Sequence, residues 1–226
     1  MNASIRPLCA IWNSSIGKKY LVALTGLVLV LFLAGHLSGN LLIFVGQEAF
    51  DEYAKFLNTM LHGAGVWIAR IILLACLVIH IAATIALTRQ NAKASPKYEH
   101  EKTIQASRSS RIMIISGLTI LAFVVYHLLH FTVRVDSDLA EIAKVSPYQM
   151  VIRGFSNGIV VLFYVIAMSL LCSHLSHGVQ SIFQTVGLRS KKSAPLISFI
   201  SKAYALVIWL GFLSIPVAIY IFNYGR

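Results

Sequence analysis

The 226-residue sequence is 58% hydrophobic and only 12% charged, which places it among integral membrane proteins and excludes an ordinary soluble domain. It contains no P-loop, no dinucleotide-binding fingerprint and no C-x-x-C-H motif, so a nucleotide-binding domain and covalently attached haem are also excluded. The formal net charge of +11 invites a nucleic-acid-binding role, but its distribution along the chain argues against one.

Five apolar stretches are each long enough to cross a membrane as a helix. In chain order they cover roughly 20–45, 65–88, 112–133, 155–184 and 200–222. The fourth is longer than a bilayer requires, so we expect it to tilt or to project beyond the lipid. The sequence therefore predicts an all-α integral membrane bundle of five transmembrane helices, which forms a single membrane domain over residues 1–226.

Basic residues concentrate on every second side of the predicted spans. The segment before the first span and the second and fourth loops are rich in Lys and Arg, whereas acids match or outnumber bases in the first and third loops. The positive-inside rule then places the N-terminus in the cytoplasm and the C-terminus outside. This topology explains the net charge, and no nucleic-acid partner is expected.

Histidines lie inside the first four predicted spans, and the fifth span contains none. A titratable side chain within a membrane helix is costly and marks a functional site by default. Histidine is also the usual protein ligand of haem iron, and a haem with two histidine ligands needs one from each of two facing helices. The intramembrane histidines, in chain order, are His36, His80, His127, His130, His174 and His177.

The depth of these histidines along their helices sorts them into two pairs. With a rise of about 1.5 Å per residue, His36 and His127 lie roughly 24 and 23 Å from the cytoplasmic end. His80 and His174 lie roughly 12 and 15 Å from that end. The pattern predicts an outer pair, His36 with His127, and an inner pair, His80 with His174, which together would hold two haems.

Two further histidines compete with members of these pairs. His130 and His177 follow His127 and His174 by three residues and lie on nearly the same helix face, so spacing alone does not choose between them. The histidine that does not bind iron could hydrogen-bond a haem propionate, a quinone oxygen or a ligand. For any single position, a packed histidine without a ligand role is the alternative.

A weak internal repeat relates the first and third spans. TGLVLVLFLAGH at 25–36 aligns with SGLTILAFVVYH at 116–127, so that Gly26 and Gly117 each precede a histidine by ten residues. Both helices run in the same direction, and the repeat therefore places both histidines at similar depth. Small residues beside a histidine suit the close approach of a macrocycle, but they also pack membrane helices in general.

With these residues the chain resembles the cytochrome b membrane-anchor subunits of succinate:quinone oxidoreductases, in their two-haem, single-anchor form. The resemblance covers nearly the whole chain and includes SSIGKKYLVALTG at 14–26, HLSGNLL at 36–42 and HLSHGVQSIFQTVGL at 174–188. It implies one haem b ligand from each of the first four helices, paired as the depths predict. The family spacing favours His127 over His130 and His174 over His177.

The resemblance also implies partners and a location. The expected partners are a cytoplasmic flavoprotein with covalently bound FAD and an iron–sulfur protein, docked on the basic loops. Electrons would pass between the iron–sulfur protein and a membrane quinone, most often menaquinone, through the inner and outer haems, as part of the respiratory chain and the tricarboxylic acid cycle. The expected location is a prokaryotic cytoplasmic membrane, while the direction of the reaction and dimerisation of the complex are left open.

One residue departs from the family pattern. Two-haem fumarate reductases that move protons through the membrane carry a glutamate two residues before the inner ligand of the fourth helix, and this chain has Cys172 there. No Asp or Glu lies in the middle of a predicted span, so we expect no proton path of that type.

A quinone site near the outer haem requires titratable or hydrogen-bonding groups at the outer edge of the membrane. The sequence offers four candidates, which are Glu52, His62, Arg70 and His130. Each of them could also be an ordinary interfacial residue.

Two other functions are consistent with the sequence to a lesser degree. The first is the two-haem cytochrome b subunit of another quinone-linked enzyme, such as a hydrogenase, nitrate reductase or formate dehydrogenase. The second is a transporter without haem, which would need broken helices or inverted repeats, whereas Pro216 is the only proline well inside a span. The cysteines Cys9, Cys76 and Cys172 form no C-x-x-C motif, and we predict no disulfide.

Overall fold

The computed structural model describes residues 11–94 and 108–225. Within these ranges the chain is helical, with no β-strand. In chain order the helices are α1 (Ser15–Leu41), α2 (Gln47–Thr59), α3 (Ala64–Ala94), α4 (Arg108–His127), α5 (Ser137–Val145), α6 (Pro147–Gly154), α7 (Gly158–Thr185) and α8 (Ala194–Ile221). A π-helical segment, Leu128–Val133, continues α4.

The five long helices, α1, α3, α4, α7 and α8, are long and apolar enough to cross a membrane. The prediction of an all-α bundle with five spanning helices is therefore confirmed. The helices differ from the predicted spans mainly at their ends, since α1 begins at residue 15 rather than 20 and α8 at 194 rather than 200. The 28 residues of α7 extend about 42 Å, which exceeds the roughly 30 Å of a hydrocarbon core. Cys9 and His100 lie outside the described residues.

Helix α7 is central to the packing of the bundle. It packs along α8 and also contacts α1 and α4, while α3 packs along α1. Its buried side chains, which include Tyr164, Ala167, Met168 and Leu171, form much of the apolar core. Many large apolar side chains on the outer surfaces of the long helices are exposed, as expected where lipid rather than water is the solvent.

Three short helices occupy the connections that we expect on the outer side, and the sequence reading did not predict them. The Asp51 carboxylate of α2 accepts hydrogen bonds from Ser146 Oγ at 2.6 Å and from the backbone nitrogen of Tyr148 at 2.8 Å. Ser146 in turn caps α6 by accepting from the backbone nitrogen of Gln149. These contacts join α2 to α6, so the first and third connections form one ordered layer at that end of the bundle.

Between α2 and α3 the chain turns through two residues in left-handed conformations. Leu61 has φ of 52° and His62 has φ of 56°, and both side chains are exposed. This turn reverses the chain between the interfacial helix α2 and the spanning helix α3.

Candidate functional site

The inner pair consists of His80 on α3 and His174 on α7. Each imidazole contacts a buried hydroxyl residue on a neighbouring helix that runs in the opposite direction. His80 Nδ1 lies 3.1 Å from Thr25 Oγ1 of α1, and His174 Nδ1 lies 3.3 Å from Ser116 Oγ of α4. The two histidines are close enough to interact electrostatically.

The surroundings of His80 determine which ring nitrogen carries the proton. Its Nδ1 also lies 3.1 Å from the carbonyl oxygen of Val22, which can only accept a hydrogen bond. The Thr25 hydroxyl already donates to the Leu21 carbonyl oxygen at 2.6 Å, so it too acts as an acceptor toward the ring. His80 Nδ1 therefore carries the proton, and the lone pair of Nε2 is free for a metal ion.

The same arrangement occurs at His174. The Ser116 hydroxyl donates to the Met113 carbonyl oxygen at 3.1 Å, which leaves its lone pairs to accept from His174 Nδ1. Ser116 is almost completely buried, with 1% of its surface exposed, so water does not replace this contact. The Nδ1 contacts of both inner histidines are therefore compatible with the tautomer that leaves Nε2 free for a metal ion.

Two glycines leave space beside the inner rings. A Cβ atom at Gly26 would lie 3.3 Å from His80 Cε1, and one at Gly117 would lie 3.7 Å from His174 Cε1. These are the glycines of the internal repeat, and each follows the hydroxyl residue that holds the ring. The repeat therefore unites the two sites, because α1 and α4 each present a hydroxyl–glycine pair to an inner histidine and carry an outer histidine ten residues later.

The outer pair consists of His36 on α1 and His127 at the end of α4. Their ring centroids are 5.9 Å apart. The two imidazoles, from different helices, thus lie side by side in the bundle, where they could hold a common metal ion. Phe32 stacks on His36 at 5.2 Å and Phe123 stacks on His127 at 5.8 Å, so aromatic rings fix both imidazoles.

The Nδ1 atoms of the outer pair meet different partners. At His36 the amide nitrogen of Asn40 donates to the histidine's own carbonyl oxygen at 2.7 Å and lies 3.3 Å from Nδ1. The bond to the carbonyl oxygen fixes the amide with its nitrogen toward the ring, so the Asn40 side chain faces Nδ1 as a donor. At His127 the partner is the hydroxyl of Tyr164, at 3.2 Å.

Tyr164 also links His127 to His130. Its hydroxyl lies 3.1 Å from His130 Nδ1, and a hydroxyl has a single proton to donate. If His127 donates Nδ1–H to Tyr164, as a ligand would, Tyr164 donates its own proton to His130. His130 lies in the π-helical segment that begins at Leu128, and its ring also contacts Phe131 and Phe155.

The two second-choice ligands, His130 and His177, differ from their neighbours in what else they contact. His130 belongs to an aromatic cluster with Tyr126, Phe131 and Phe155. His177 lines a polar groove between α7 and α8, whereas His174 faces α4. The geometry favours His127 over His130, because the His127 ring contacts His36. It favours His174 over His177, because His174 faces α4 and not the groove.

The four quinone candidates do not form one site. Glu52 is exposed on α2, His62 is exposed in the turn before α3, and Arg70 is exposed on α3 with its guanidinium 4.9 Å from the centroid of the Trp67 ring. Among the described residues, no hydrogen bond or ion pair joins these three. The fourth candidate, His130, is linked to the predicted haem ligand His127, because the Tyr164 hydroxyl contacts Nδ1 of both histidines.

Sequence reasoning missed the residues that hold the imidazoles. Thr25 and Ser116 could have been found, because each begins one of the two repeated strings directly before the glycine. Tyr164 carries no such signal, since its role depends on how α4 and α7 pack against each other.

The fold and the paired histidines define a class of protein, a helical membrane subunit with sites for a ligated cofactor between its helices. The family model for the succinate dehydrogenase/fumarate reductase transmembrane subunit matches residues 87–214, which is more than half of the chain. The chain belongs to this family and is a cytochrome b membrane anchor of succinate dehydrogenase or fumarate reductase. Comparison with curated proteins and with solved structures gave no match.

Membership of this family implies that the subunit binds haem b and quinone. It also implies association with a flavoprotein subunit and an iron–sulfur subunit. The matched range contains His127 and His174 but neither His36 nor His80. The pairing of all four histidines therefore depends on the geometry described above.

Proposed function

We propose that this subunit binds two haems b, one between His80 and His174 and one between His36 and His127, and so connects the iron–sulfur subunit to membrane quinone. The observation that carries the proposal is the surroundings of Nδ1 at the inner pair, where the Val22 carbonyl oxygen and the Ser116 hydroxyl occupy Nδ1 and leave Nε2 of both rings free for iron. The 5.9 Å separation of the outer rings supports a second site of the same kind.

The bound haems supply one-electron carriers at two depths in the membrane. The protein's own contribution is to orient the imidazoles, to place an oxygen atom beside Nδ1 of His80, His127 and His174, and to exclude water. Thr25 and Ser116 do this at the inner site, where both are buried. At the outer site Tyr164 and the stacked rings of Phe32 and Phe123 do so. No residue of this chain is assigned to the chemistry of succinate or fumarate, which belongs to the flavoprotein.

We further propose that the partners dock on the side where the basic residues lie. Among them are Arg189, Lys191 and Lys192, which are exposed in the connection between α7 and α8. This orientation puts the inner histidines nearer the cytoplasm and the C-terminus outside. The corresponding location is a prokaryotic cytoplasmic membrane.

For the quinone, taken here to be menaquinone, we propose a position beside the outer haem with His130 as the hydrogen-bonding group. His130 is half-buried among Tyr126, Phe131 and Phe155, which offer the apolar and aromatic walls that a quinone ring prefers. Its hydrogen bond to Tyr164 connects this position to His127.

A pyridine haemochrome assay on the detergent-purified complex, with the subunits identified in the same sample, tests the proposal. We expect two haems b per anchor chain together with a flavoprotein and an iron–sulfur protein. A single haem would remove the outer site, where the contacts of Nδ1 are less uniform. Absence of haem would disprove the electron-transfer role altogether.

A further inference from the structure

A polar groove opens between α7 and α8 at the end of the bundle that we place toward the cytoplasm. Its volume is about 360 Å³. The lining residues are Ser173, Ser176, His177 and Gln180 of α7 with Ser198 and Lys202 of α8. His174 takes no part in this groove, because its ring contacts Ser116 on α4.

The groove extends from the depth of the inner histidines toward the cytoplasmic boundary of the hydrocarbon core. Its residues stand within roughly 18 Å of the end of α7 or the beginning of α8, given about 1.5 Å per residue. Helix α7 is longer than the hydrocarbon core, so its last turn extends beyond the boundary. Lys202 therefore lies near the edge of the hydrocarbon region, where its flexible side chain reaches the headgroup layer.

The charge of the groove is unbalanced. No carboxylate lines it, and Lys202 has no acidic partner among the residues that the structure describes. The ammonium group is exposed, and the hydroxyl of Ser198, one helical turn before it, lies on the same helix face. A cation with neutral hydroxyl and amide groups around it is suited to an anionic oxygen ligand.

We propose that this groove binds the phosphate of an anionic phospholipid from the cytoplasmic leaflet, with Lys202 as its charged partner. Basic pockets between spanning helices on this side of a membrane are suited to such headgroups. The surface beyond the phosphate is suited to the acyl chains, because Leu206 and Leu210 continue the Lys202 face toward the bilayer centre and are both exposed. A free phosphate ion would leave this apolar stripe uncovered.

The inference rests on the proposed orientation of the chain but not on the haems. Native mass spectrometry of the whole delipidated complex, incubated with phosphatidylglycerol, measures it directly. We expect the wild type to retain one phosphatidylglycerol more strongly than phosphatidylcholine. Lys202→Gln should weaken that binding about tenfold, because a charge-assisted hydrogen bond is lost. Lys55→Gln removes the same charge from an exposed position on α2, outside the groove, and should bind as the wild type does.

Several results would overturn the proposal. They are unchanged binding in Lys202→Gln, equal weakening in Lys55→Gln, or displacement of the lipid by inorganic phosphate alone. Ser198→Ala removes only a hydroxyl and should weaken binding about threefold, which keeps the test available if Lys202→Gln fails to assemble. The haem content of each sample is measured in parallel, so failure of the lipid site and failure of the haem proposal are distinguishable.

Discussion

The inner and outer histidine pairs are built by different means within one bundle. At the inner pair, the hydroxyls of Thr25 on α1 and Ser116 on α4 contact the rings of His80 and His174. Each hydroxyl also donates a hydrogen bond to a carbonyl oxygen of its own helix. At the outer pair the partners are unlike each other, an amide at His36 and a tyrosine hydroxyl at His127. The repeat in the sequence thus produces a symmetric inner site, whereas tertiary packing determines the outer one.

This difference suggests a division of roles. The inner site is closed to protons, because its Nδ1 contacts end on carbonyl oxygens or on hydroxyls that donate to them. The outer site continues through Tyr164 to His130, which extends the hydrogen-bonded chain toward the end of the bundle where α5 and α6 lie. A quinone exchanges protons as well as electrons, so the outer site is the one equipped to serve it.

The largest expected effect is the loss of one haem when one ligand is removed. His36→Ala or His127→Ala should abolish the outer haem and retain the inner one, and His80→Ala or His174→Ala should do the reverse. The haem content and the reduced-minus-oxidised spectrum of the purified complex measure this.

Two variants serve as controls for the ligand series. His130→Ala and His177→Ala remove neighbouring imidazoles and should retain both haems. Equal loss of both haems from every ligand variant would contradict the pairing. Loss of a haem from either control would transfer the ligand role to that residue.

The next largest effect is expected at Gly26. A Cβ at this position would approach His80 Cε1 to 3.3 Å, so Gly26→Ala should displace the ring. Overpacking of this kind typically costs about 1–3 kcal/mol, and the inner haem should bind about tenfold more weakly or worse. Haem retention during titration with a competing apo-protein measures the change.

Gly35→Ala is the matched control, because Gly35 lies on the same helix as Gly26 and a Cβ atom there would have no neighbouring atom within 4 Å. Gly117→Ala should fall between the two, since its 3.7 Å approach is an ordinary contact. A loss as large in Gly35→Ala as in Gly26→Ala would mean that helix α1, and not the ring, responds to the substitution.

Much of the fold could be predicted from the sequence, for physical reasons, and so could the positions of the histidines within the spans, whose ligand role stays a prediction. Apolar length determines spanning helices, and the cost of a polar group in lipid makes each intramembrane histidine visible. The short helices α2, α5 and α6 were missed because they lie at an interface, where apolar and polar residues mix. The roles of Tyr164 and of the α7–α8 groove depend on side-chain packing, which no periodicity in the sequence reveals.

The third prediction compares the two inner hydroxyls. Ser116→Ala removes the Nδ1 acceptor of His174, whereas Thr25→Val leaves His80 bonded to the Val22 carbonyl oxygen. We therefore expect Ser116→Ala to weaken inner-haem binding by about 10- to 100-fold, as is typical for partners of metal ligands, and Thr25→Val to weaken it less. An equal loss in both variants would contradict the idea that the carbonyl contact holds His80.

The smallest effect is expected at Tyr164, and it separates the two sites most directly. Tyr164→Phe keeps the ring in its aromatic cluster but removes the acceptor of His127 Nδ1–H, so both haems should remain bound. The imidazole then becomes a poorer donor to ferric iron, and the midpoint potential of the outer haem should rise while that of the inner haem stays constant. A redox titration followed optically resolves the two.

Tyr204→Phe is the control for this variant, because the Tyr204 hydroxyl donates to the Val30 carbonyl oxygen and touches no histidine in the described contacts. A shift of both potentials in Tyr164→Phe, or an equal shift in Tyr204→Phe, would mean that the bundle as a whole relaxes. A shift confined to the outer haem would show that the site determined by packing, and not by the repeat, is the one whose potential the protein adjusts through a single hydroxyl.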